Sequence, residues 1–314
     1  MTPFAFVFPG QGSQSVGMLA DLAQVDPIVR TSFEEASAVL GYDLWRLCQD
    51  GPAESLNATE RTQPALLVAS VATYRLWARR GGAVPQIVAG HSLGEFAALV
   101  IAESIDFRDA VEIVRFRGRA MQEAVPAGAG AMAAILGLDD EALAAACSEA
   151  AEDGVVEPAN FNSPGQTVIA GDSTAVQRAI EAAKRRGAKR ALPLPVSAPF
   201  HCSLMKPAAE RLRAQLAPIA VHAPRLRFVS SVDAAEHADP AEIRELLVRQ
   251  VAAPVRWTAT VRTVAAMGAV RIVECGPGKV LTGLNRRIDK RPDSEFLALE
   301  DRISLDAALA LGAR

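Results

Sequence analysis

The sequence predicts an α/β protein in which a small βαββαβ unit interrupts a larger domain with a mostly parallel sheet. Two observations lead to this fold class. Short apolar runs that suit buried strands alternate with longer helical segments, which is typical of parallel sheets. Between about residues 126 and 203, the order of the elements changes to βαββαβ. A chain of 314 residues has room for both parts, since one domain takes roughly 100–200 residues.

The larger domain begins with a buried strand and a glycine-rich loop. A helix follows, and then a strand that leads directly into a helix reaching about residue 103. Two more strands are predicted after the small unit. The predicted strands and the first helix of this domain lie at Phe4–Phe8, Gln63–Arg79 (the helix), Gln86–Ala89, Leu226–Val232 and Val270–Cys275.

The small unit has the element order of a ferredoxin-like domain. Its strands are predicted at Ala131–Leu138, Val155–Asn160, Gln166–Ala170 and Ala188–Val196, and its helices at Ala142–Ala151 and Ser173–Arg186. We place this domain at 126–203. The larger domain is then discontinuous and consists of residues 1–125 and 204–314.

Composition and charge exclude several classes of protein. Half of the residues are hydrophobic and 22% are charged, as in a globular chain. A formal net charge of −3 does not favour nucleic-acid binding. No apolar run approaches the ~18 residues of a membrane-spanning helix, and the first residues lack the basic region of a signal peptide. We therefore expect a cytoplasmic protein with no membrane or nucleic-acid partner.

The cysteines do not indicate a metal site. Cys48, Cys147, Cys202 and Cys275 are widely separated, and none belongs to a CxxC pair. A zinc site or a disulfide framework would need closer or paired spacing. The sequence therefore predicts reduced thiols and no bound metal.

The segment Gly90–Gly94 has the pattern GxSxG at a predicted strand-to-helix junction. A serine on this tight turn is lifted out of the sheet, and glycines on either side leave room for strand and helix to pack. The N–H of Leu93 is a natural donor to a developing oxyanion. We predict that Ser92 is a nucleophile; the alternative is a structural turn.

A serine nucleophile needs a base within hydrogen-bond reach, and the chain has four histidines. His91 adjoins Ser92, and because neighbouring side chains diverge it is a poor base, although it lies near the site. His222 and His237 occupy polar stretches that favour solvated loops. His201 follows a rigid Pro-Phe turn where the small domain returns to the large one, so we predict it as the base rather than a structural histidine.

Arg117 lies on an otherwise apolar helical stripe. Residues Ala110, Val114, Met121 and Ala124 share its face, at spacings of three and four. A buried guanidinium must be paired with an anion. The partner is either an internal Asp or Glu, or a substrate carboxylate bound by both arms of the guanidinium.

The glycine-rich loop at 9–14 matches neither common nucleotide-binding pattern. Ser15 stands where a dinucleotide fingerprint needs its third glycine, and Met18 stands where a P-loop needs lysine. The loop is either a flexible turn or one whose Gln11 N–H completes an oxyanion hole with Leu93.

A helix start at Asp239, Pro240 and Glu242 places Gln250 near the end of that helix. The helix is predicted to run to about Val251. Carbonyl groups in a last turn lack helical partners. Ser203 is likewise expected to cap the helix that follows His201.

Together these segments resemble the malonyl-CoA:acyl carrier protein transacylases of bacterial fatty acid synthesis. The match runs in family order to about Arg287, with no departure at a catalytic position. The resemblance implies an α/β-hydrolase-like large domain with a ferredoxin-like insert and a site between them. The matching segments are 6–14, 63–65, 90–95, 117–118, 160–166, 199–201 and 276–278.

The resemblance also implies the roles of the catalytic residues. Ser92 would take the malonyl group as an ester, and His201 would act as general base. The backbone carbonyl of Gln250 would orient His201 in place of a triad acid, with its side chain mattering less. The N–H groups of Gln11 and Leu93 would form the oxyanion hole.

The substrates implied are malonyl-CoA and the thiol of an acyl carrier protein, with no cofactor, and we expect a monomer. Arg117 would bind the malonyl carboxylate. His91, Met121 and Asn162 are expected to contact substrate. Two basic clusters, at 184–190 and 286–291, are either solvated helix ends or docking surfaces. We expect the carrier protein to dock at Lys189 and Arg190.

Two other functions remain open from sequence alone. A serine esterase or thioesterase would need an acid between Ser92 and His201. Asp106, Asp109 and Asp172 are candidates, but none lies in a recognisable acid loop. A polyketide-pathway acyltransferase of the same family would share every motif. A non-catalytic scaffold is disfavoured because all the reactive residues are present.

Overall fold

The computed structural model describes residues 3–196 and 198–312. In these residues ten strands form two separate sheets. The strands are β1 (Phe4–Phe8), β2 (Ile87–Gly90), β3 (Gly130–Leu136), β4 (Val156–Ser163), β5 (Gln166–Asp172), β6 (Arg190–Pro193), β7 (Arg227–Val229), β8 (Glu236–His237), β9 (Arg271–Glu274) and β10 (Glu295–Ala298).

Helices surround both sheets. Among the helices in the described ranges, none has both the length and the apolar character needed to cross a membrane. The helices are α1 (Leu22–Val25), α2 (Ile28–Leu40), α3 (Leu44–Asp50), α4 (Ala53–Asn57), α5 (Thr59–Arg79), α6 (Gly94–Ile101), α7 (Phe107–Gln122), α8 (Asp140–Ala151), α9 (Ser173–Arg185), α10 (Lys206–Leu216), α11 (Pro240–Arg249), α12 (Trp257–Ala266), α13 (Val280–Ile288) and α14 (Arg302–Gly312), with 3-10 turns at Ser203–Met205 and Gln250–Ala252.

The larger sheet has the strand order β10-β9-β1-β2-β7-β8. Five of these strands run parallel, and β8 alone is antiparallel to its neighbour β7. The prediction of a mostly parallel sheet is confirmed. Alternate residues of β1 enter different cores: Phe6 packs in one cluster, and Ala5 and Val7 in another. The sheet is therefore covered on both faces, which explains why all of β1 is buried.

The smaller sheet has the order β4-β5-β3-β6, and all of its pairings are antiparallel. Helices α8 and α9 bury apolar side chains against it, including Leu143 and Ile180. The βαββαβ order predicted from sequence is confirmed. These elements all lie inside 126–203, while the domain boundaries themselves stay a prediction.

Two local expectations differ from the structure. Helix α5 begins at Thr59 rather than Gln63, so Pro64 lies inside it. The expectation that Ser203 caps a helix is wrong. Its N–H and Oγ both donate to the Glu157 carboxylate, at 2.8 and 2.7 Å, and α10 begins only at Lys206. The Ser203 hydroxyl therefore donates to a carboxylate of the same small domain instead of accepting from helical N–H groups, as the side chain of an N-cap residue does.

The site lies where β1 and β2 end side by side, with Phe8 opposite Gly90. Ligands of open parallel sheets bind at the carboxyl ends of the strands. The small sheet joins the large domain beside this edge, because the Phe161 N–H donates to the Val255 carbonyl at 2.9 Å. The cleft is thus formed by loops and helices of the large domain and by strands of the small one.

Candidate active site

Ser92 lies on a strained turn between β2 and α6. Its φ is +52°, a left-handed conformation that non-glycine residues rarely adopt. The flanking glycines are required for close packing. A Cβ on Gly90 would lie 2.0 Å from the Glu95 nitrogen, and one on Gly94 would lie 2.1 Å from the Phe8 oxygen. The turn therefore has the geometry of a nucleophile elbow.

His201 is the histidine that contacts Ser92. The Ser92 Oγ and the His201 Nε2 are 2.7 Å apart, and the His201 Nδ1 lies 2.9 Å from the Gln250 carbonyl oxygen. Because that carbonyl only accepts, Nδ1 carries the proton and Nε2 presents its lone pair to Ser92. His201 also has a positive φ, +62°. Two strained residues thus meet at the reacting atoms.

The histidine is neutral at physiological pH. Burial, together with the positive charge of Arg117, lowers the pKa of His201 to about 3. His201 is therefore unprotonated at pH 7 and ready to accept a proton.

Arg117 is 1% exposed and lies directly beside the nucleophile. Its Nη1 donates to the Gln63 Oε1 at 2.8 Å, and its Nη2 donates to the Gln250 Oε1 at 2.8 Å and to the Ser92 Oγ at 3.1 Å. In the described chain no carboxylate touches the guanidinium. Burial lowers the pKa of Arg117 to about 10, so it stays charged at neutral pH. The internal acid partner considered from sequence is not in direct contact.

The Gln250 side chain joins the site as well as its backbone. Its Nε2 donates to the Ser92 carbonyl at 2.9 Å and to the Glu95 Oε2 at 2.6 Å. The expectation that its carbonyl matters more than its side chain is therefore incomplete. Gln63, Glu95 and the side chain of Gln250 were missed from sequence. The first two lie in matching segments, but no residue pattern gave them a role.

These residues open into a cleft of about 270 Å³ between the two domains. The three residues predicted to contact substrate all line it, and His91 is hydrogen-bonded to Asn162 at 2.9 Å. Met121 accepts from the Gln63 amide at 3.7 Å. Burial lowers the pKa of His91, so it is a neutral wall of the cleft.

Gln11 and Leu93, the predicted oxyanion-hole residues, also line the cleft. Within residues 3–196 and 198–312, neither backbone N–H donates a hydrogen bond to the protein. Both donors are therefore free to bind an oxygen atom in the cleft.

Comparison with known proteins agrees with this geometry. Residues 5–292 match the family model described as "Acyl transferase domain". The malonyl CoA-acyl carrier protein transacylase of Escherichia coli strain K12 is 59% identical over 311 residues, which cover 99% of this chain and 100% of that protein. A relative of the same name from Bacillus subtilis is 44% identical over 98% of this chain and 97% of that protein.

The chain belongs to the malonyl-CoA:acyl carrier protein transacylase family. A solved acyl carrier protein S-malonyltransferase from Vibrio cholerae is 57% identical, with a TM-score of 0.95 over 98% of this chain and 99% of that one. A malonyl-transacylase solved in complex with a type II PKS acyl-carrier protein is 54% identical, with a TM-score of 0.96 over 99% and 100% of the two chains. The resemblance seen in the sequence is confirmed, and the chain is an acyltransferase.

The basic residues predicted to contact the carrier protein lie on the surface. Lys189 and Arg190 are exposed at the start of β6 and form no ion pair within the described residues, whereas Arg185 and Arg186 both pair with Glu149. The carrier-protein contact at Lys189 and Arg190 stays a prediction.

The expectation that His237 is a solvated loop histidine is wrong. It is 8% exposed in β8, with Asp233 at 3.0 Å and Glu242 at 3.1 Å from its two ring nitrogens. Burial alone would lower the pKa of His237, but the two carboxylates outweigh it and raise the pKa. Sequence reasoning missed this because the acids come from a loop and a helix on either side of the strand.

The described residues contain no group of three or more His, Cys, Asp or Glu side chains that could hold a metal ion. The four cysteines are free and buried. Burial raises the pKa of Cys202, the thiol next to His201, to about 12, so it stays protonated and unreactive at neutral pH.

The pKa values of His201 and His237 should be shifted in opposite directions from the ordinary value. Because burial, together with Arg117, lowers its pKa to about 3, His201 should stay neutral from about pH 7.5 to about pH 5.5. The midpoint of His91, whose pKa burial lowers, should lie below the ordinary value of about 6.5, and that of His237 should lie above it. Chemical shifts of the Cε1–Hε1 groups, followed against pH by NMR, measure this, with His201→Ala and His91→Ala as assignment variants. A His201 midpoint near 6.5 would contradict the neutral-base account.

Proposed function

We propose that this chain transfers the malonyl group of malonyl-CoA to the phosphopantetheine thiol of an acyl carrier protein, through an ester on Ser92. The observation that carries this proposal is the buried Arg117, which lies 3.1 Å from the Ser92 Oγ and touches no carboxylate of the described chain. A carboxylate two bonds from a thioester carbonyl suits this position. The names of the relatives, which cover the whole chain, support the same reaction.

The first half-reaction forms the acyl-enzyme. His201 Nε2 takes the proton of the Ser92 hydroxyl as Oγ attacks the thioester carbonyl. The N–H groups of Gln11 and Leu93 stabilise the oxyanion that forms. When the intermediate collapses, the C–S bond breaks, and the thiol of coenzyme A leaves with the proton held by His201.

The second half-reaction reverses these steps with a different thiol. The phosphopantetheine thiol gives its proton to His201, and its sulfur attacks the ester carbonyl. The C–Oγ bond breaks, and Ser92 recovers the proton from His201. The Gln250 carbonyl holds Nδ1–H at 2.9 Å through both steps and so keeps Nε2 directed at Ser92.

Arg117 accounts for the choice of a dicarboxylic acyl group. Its two terminal nitrogens donate to the amide oxygens of Gln63 and Gln250, and these contacts hold the guanidinium beside Ser92. A substrate carboxylate adds a charged acceptor to these neutral ones. An acetyl group has no carboxylate, so the guanidinium keeps only its hydrogen bonds to neutral groups.

The hydrolase alternative has less support. The group that binds the Nδ1 of His201 is the backbone carbonyl of Gln250, whereas a hydrolase of this fold places an Asp or Glu side chain there. Two of the three acids considered from sequence are engaged elsewhere: Asp106 caps α7, and Asp172 accepts from the Val155 N–H at 2.7 Å. The polyketide-pathway variant shares every residue of the site, so it differs in the carrier protein served and not in the chemistry.

We further infer that the enzyme works as a cytoplasmic monomer without a cofactor. All residues lining the cleft come from one chain, so a second copy is not needed to complete the site. Four free thiols, buried and protonated, suit a reducing compartment. The chemistry above needs only side chains, backbone donors, the malonyl thioester and the acceptor thiol.

The acyl group should be carried by Ser92. Incubation with malonyl-CoA should add one malonyl group to the intact protein, since the serine alone lies on the strained turn beside a neutral base. Intact mass and peptide mapping measure this, and an acyl carrier protein should then remove the group faster than water does. An adduct that persists in Ser92→Ala, or one discharged equally fast by water, would refute the proposal.

Arg117→Ala should lose most malonyl transfer together with the preference over acetyl-CoA. A site built to pair a charged group rejects the analogue that lacks it by up to ~10⁴-fold, because the guanidinium is left without its anion. The ratio of the two kcat/KM values measures this. Arg117→Lys should recover little malonyl transfer, since lysine keeps the charge but cannot bind a carboxylate through two parallel N–H groups.

Arg119→Ala is the matched control, because Arg119 is on the same helix and exposed. The ratio of its kcat/KM values for malonyl-CoA and acetyl-CoA should equal that of the wild type. An Arg117→Ala variant that folds and loses both activities by the same factor would indicate a structural arginine instead.

Charge reversal at Lys189 and Arg190 should raise KM for the acyl carrier protein on the order of 10-fold at low salt and less at high salt. The coenzyme A half-reaction should be unchanged, because both residues lie outside the residues lining the cleft. Arg185→Glu is the control, since Arg185 is exposed nearby in sequence and already paired with Glu149. If that control is equally impaired, the docking surface is not at 189–190.

A further inference from the structure

A buried acidic side chain lies behind the catalytic residues and takes no part in the steps above. Glu95, on the first turn of α6, is 0% exposed. Its Oε1 accepts from the N–H and the hydroxyl of Ser231 and from the Ser230 hydroxyl, and its Oε2 accepts from the Gln250 amide nitrogen at 2.6 Å. The carboxylate is thus fixed on one side by a backbone turn and meets the active site through one contact only.

That contact decides which way the Gln250 amide faces. The amide nitrogen of Gln250 has two hydrogens, and it donates them to the Glu95 carboxylate and the Ser92 carbonyl. The amide oxygen is therefore left facing Arg117 Nη2. A flipped amide would put its oxygen against the carboxylate and its N–H groups against the guanidinium, which leaves three buried groups without partners.

The same contact links two opposite charges. Arg117 and Glu95 do not touch, and the polar amide of Gln250 bridges them. The negative charge of Glu95 stabilises the charged form of Arg117 against the effect of burial. A neutral amide between the two side chains leaves the guanidinium without an anion in contact, so an incoming carboxylate is the first to form an ion pair with it, whereas a direct Arg–Glu pair would compete with the substrate.

We propose that Glu95 is a positioning residue for acyl-group selection, acting through the Gln250 side-chain amide to hold Arg117 ready for a carboxylate. The inference rests on the proposed function of Arg117. It gives Gln250 two separate tasks: its backbone carbonyl orients the base, and its side chain orients the specificity arginine.

The first test is the isosteric variant Glu95→Gln. Its amide cannot accept from both Gln250 and Ser231, and it has no charge, so Arg117 loses its fixed orientation. The kcat/KM for malonyl-CoA should fall by about 10–100-fold, as when a group that orients a binding residue is removed. The loss should lie mainly in KM, since the carboxylate is bound in ground and transition states alike. The acetyl-CoA value should change less than about 3-fold, because acetyl does not use Arg117.

Glu274→Gln is the matched control. Glu274 is also 0% exposed, and its carboxylate accepts from the Leu281 and Thr282 N–H groups at the start of α13, away from Arg117. Burial raises the pKa of both Glu95 and Glu274 to about 7. The two substitutions therefore remove a similar buried carboxyl, and the control should keep the malonyl-to-acetyl ratio of the wild type.

A double-mutant cycle tests the route through Gln250. In the Gln250→Ala background, Glu95→Gln should not lower the malonyl-to-acetyl ratio further, because the connecting amide is already gone. If the two losses multiply, Glu95 acts on Arg117 by another route and the proposal fails.

Two further outcomes decide the matter. A Glu95→Gln variant whose malonyl-to-acetyl ratio of kcat/KM stays within about 3-fold of the wild type overturns the proposal, even if both kcat/KM values fall by the same factor. If Glu95→Gln does not fold, Glu95→Asp, which moves the carboxylate by one methylene, is judged by the same threshold. A wild-type protein that does not transfer malonyl at all would refute the proposed function itself, which separates the two failures.

Discussion

The site depends on a guanidinium that is taken out of water without a carboxylate to neutralise it directly. Arg117 is stabilised by the amide oxygens of Gln63 and Gln250, and this arrangement fixes those two side chains and, through Gln250, Glu95. Removing a charge from water costs several kcal/mol even after relaxation, so such a group persists only where its surroundings hold it. Helices α5, α6, α7 and α11 each supply a member of this network or its neighbour, so one buried charge links four helices that also pack through the apolar core.

The reacting atoms are positioned by backbone strain at both partners. Ser92 and His201 each adopt a left-handed conformation, and each such residue costs about 1–3 kcal/mol. The parallel strands β1 and β2 and the domain junction after residue 198 hold these conformations in place. The strain is absorbed by the best-packed parts of the molecule, where Phe6, Phe8 and Phe96 are fully buried. Rigid packing around the turn thus keeps the Oγ–Nε2 distance at 2.7 Å.

Much of this arrangement could be predicted from local signals, and the remainder could not for a physical reason. The parallel sheet, the βαββαβ insert, the serine turn and the stripe around Arg117 follow from short-range patterns. The partners of Arg117 come from residues 54 and 133 positions away in sequence, so no spacing rule indicates them. The same holds for Ser203, which donates to Glu157, 46 positions away in sequence. His237 is a different case: Asp233 and Glu242 are close to it in sequence, but only the folded turn before β8 and the helix after it bring both acids to the ring.

The neutral carbonyl behind His201 fits a site that selects an anionic acyl group. A carboxylate at that position would raise the basicity of the imidazole, but it would also place a negative charge one ring away from Arg117 and weaken its attraction for the substrate carboxylate. With the Gln250 carbonyl there, the acidic side chain of this network is Glu95, separated from the guanidinium by an amide. The positive potential at the cleft is preserved, and it adds to burial, the larger cause, in lowering the pKa of His201. A weaker base is sufficient because the acyl donor is a thioester, an activated carbonyl whose leaving group departs readily. The guanidinium beside Ser92, which no carboxylate contacts, therefore selects the charge of the acyl group and also contributes, together with burial, to the reduced basicity of His201.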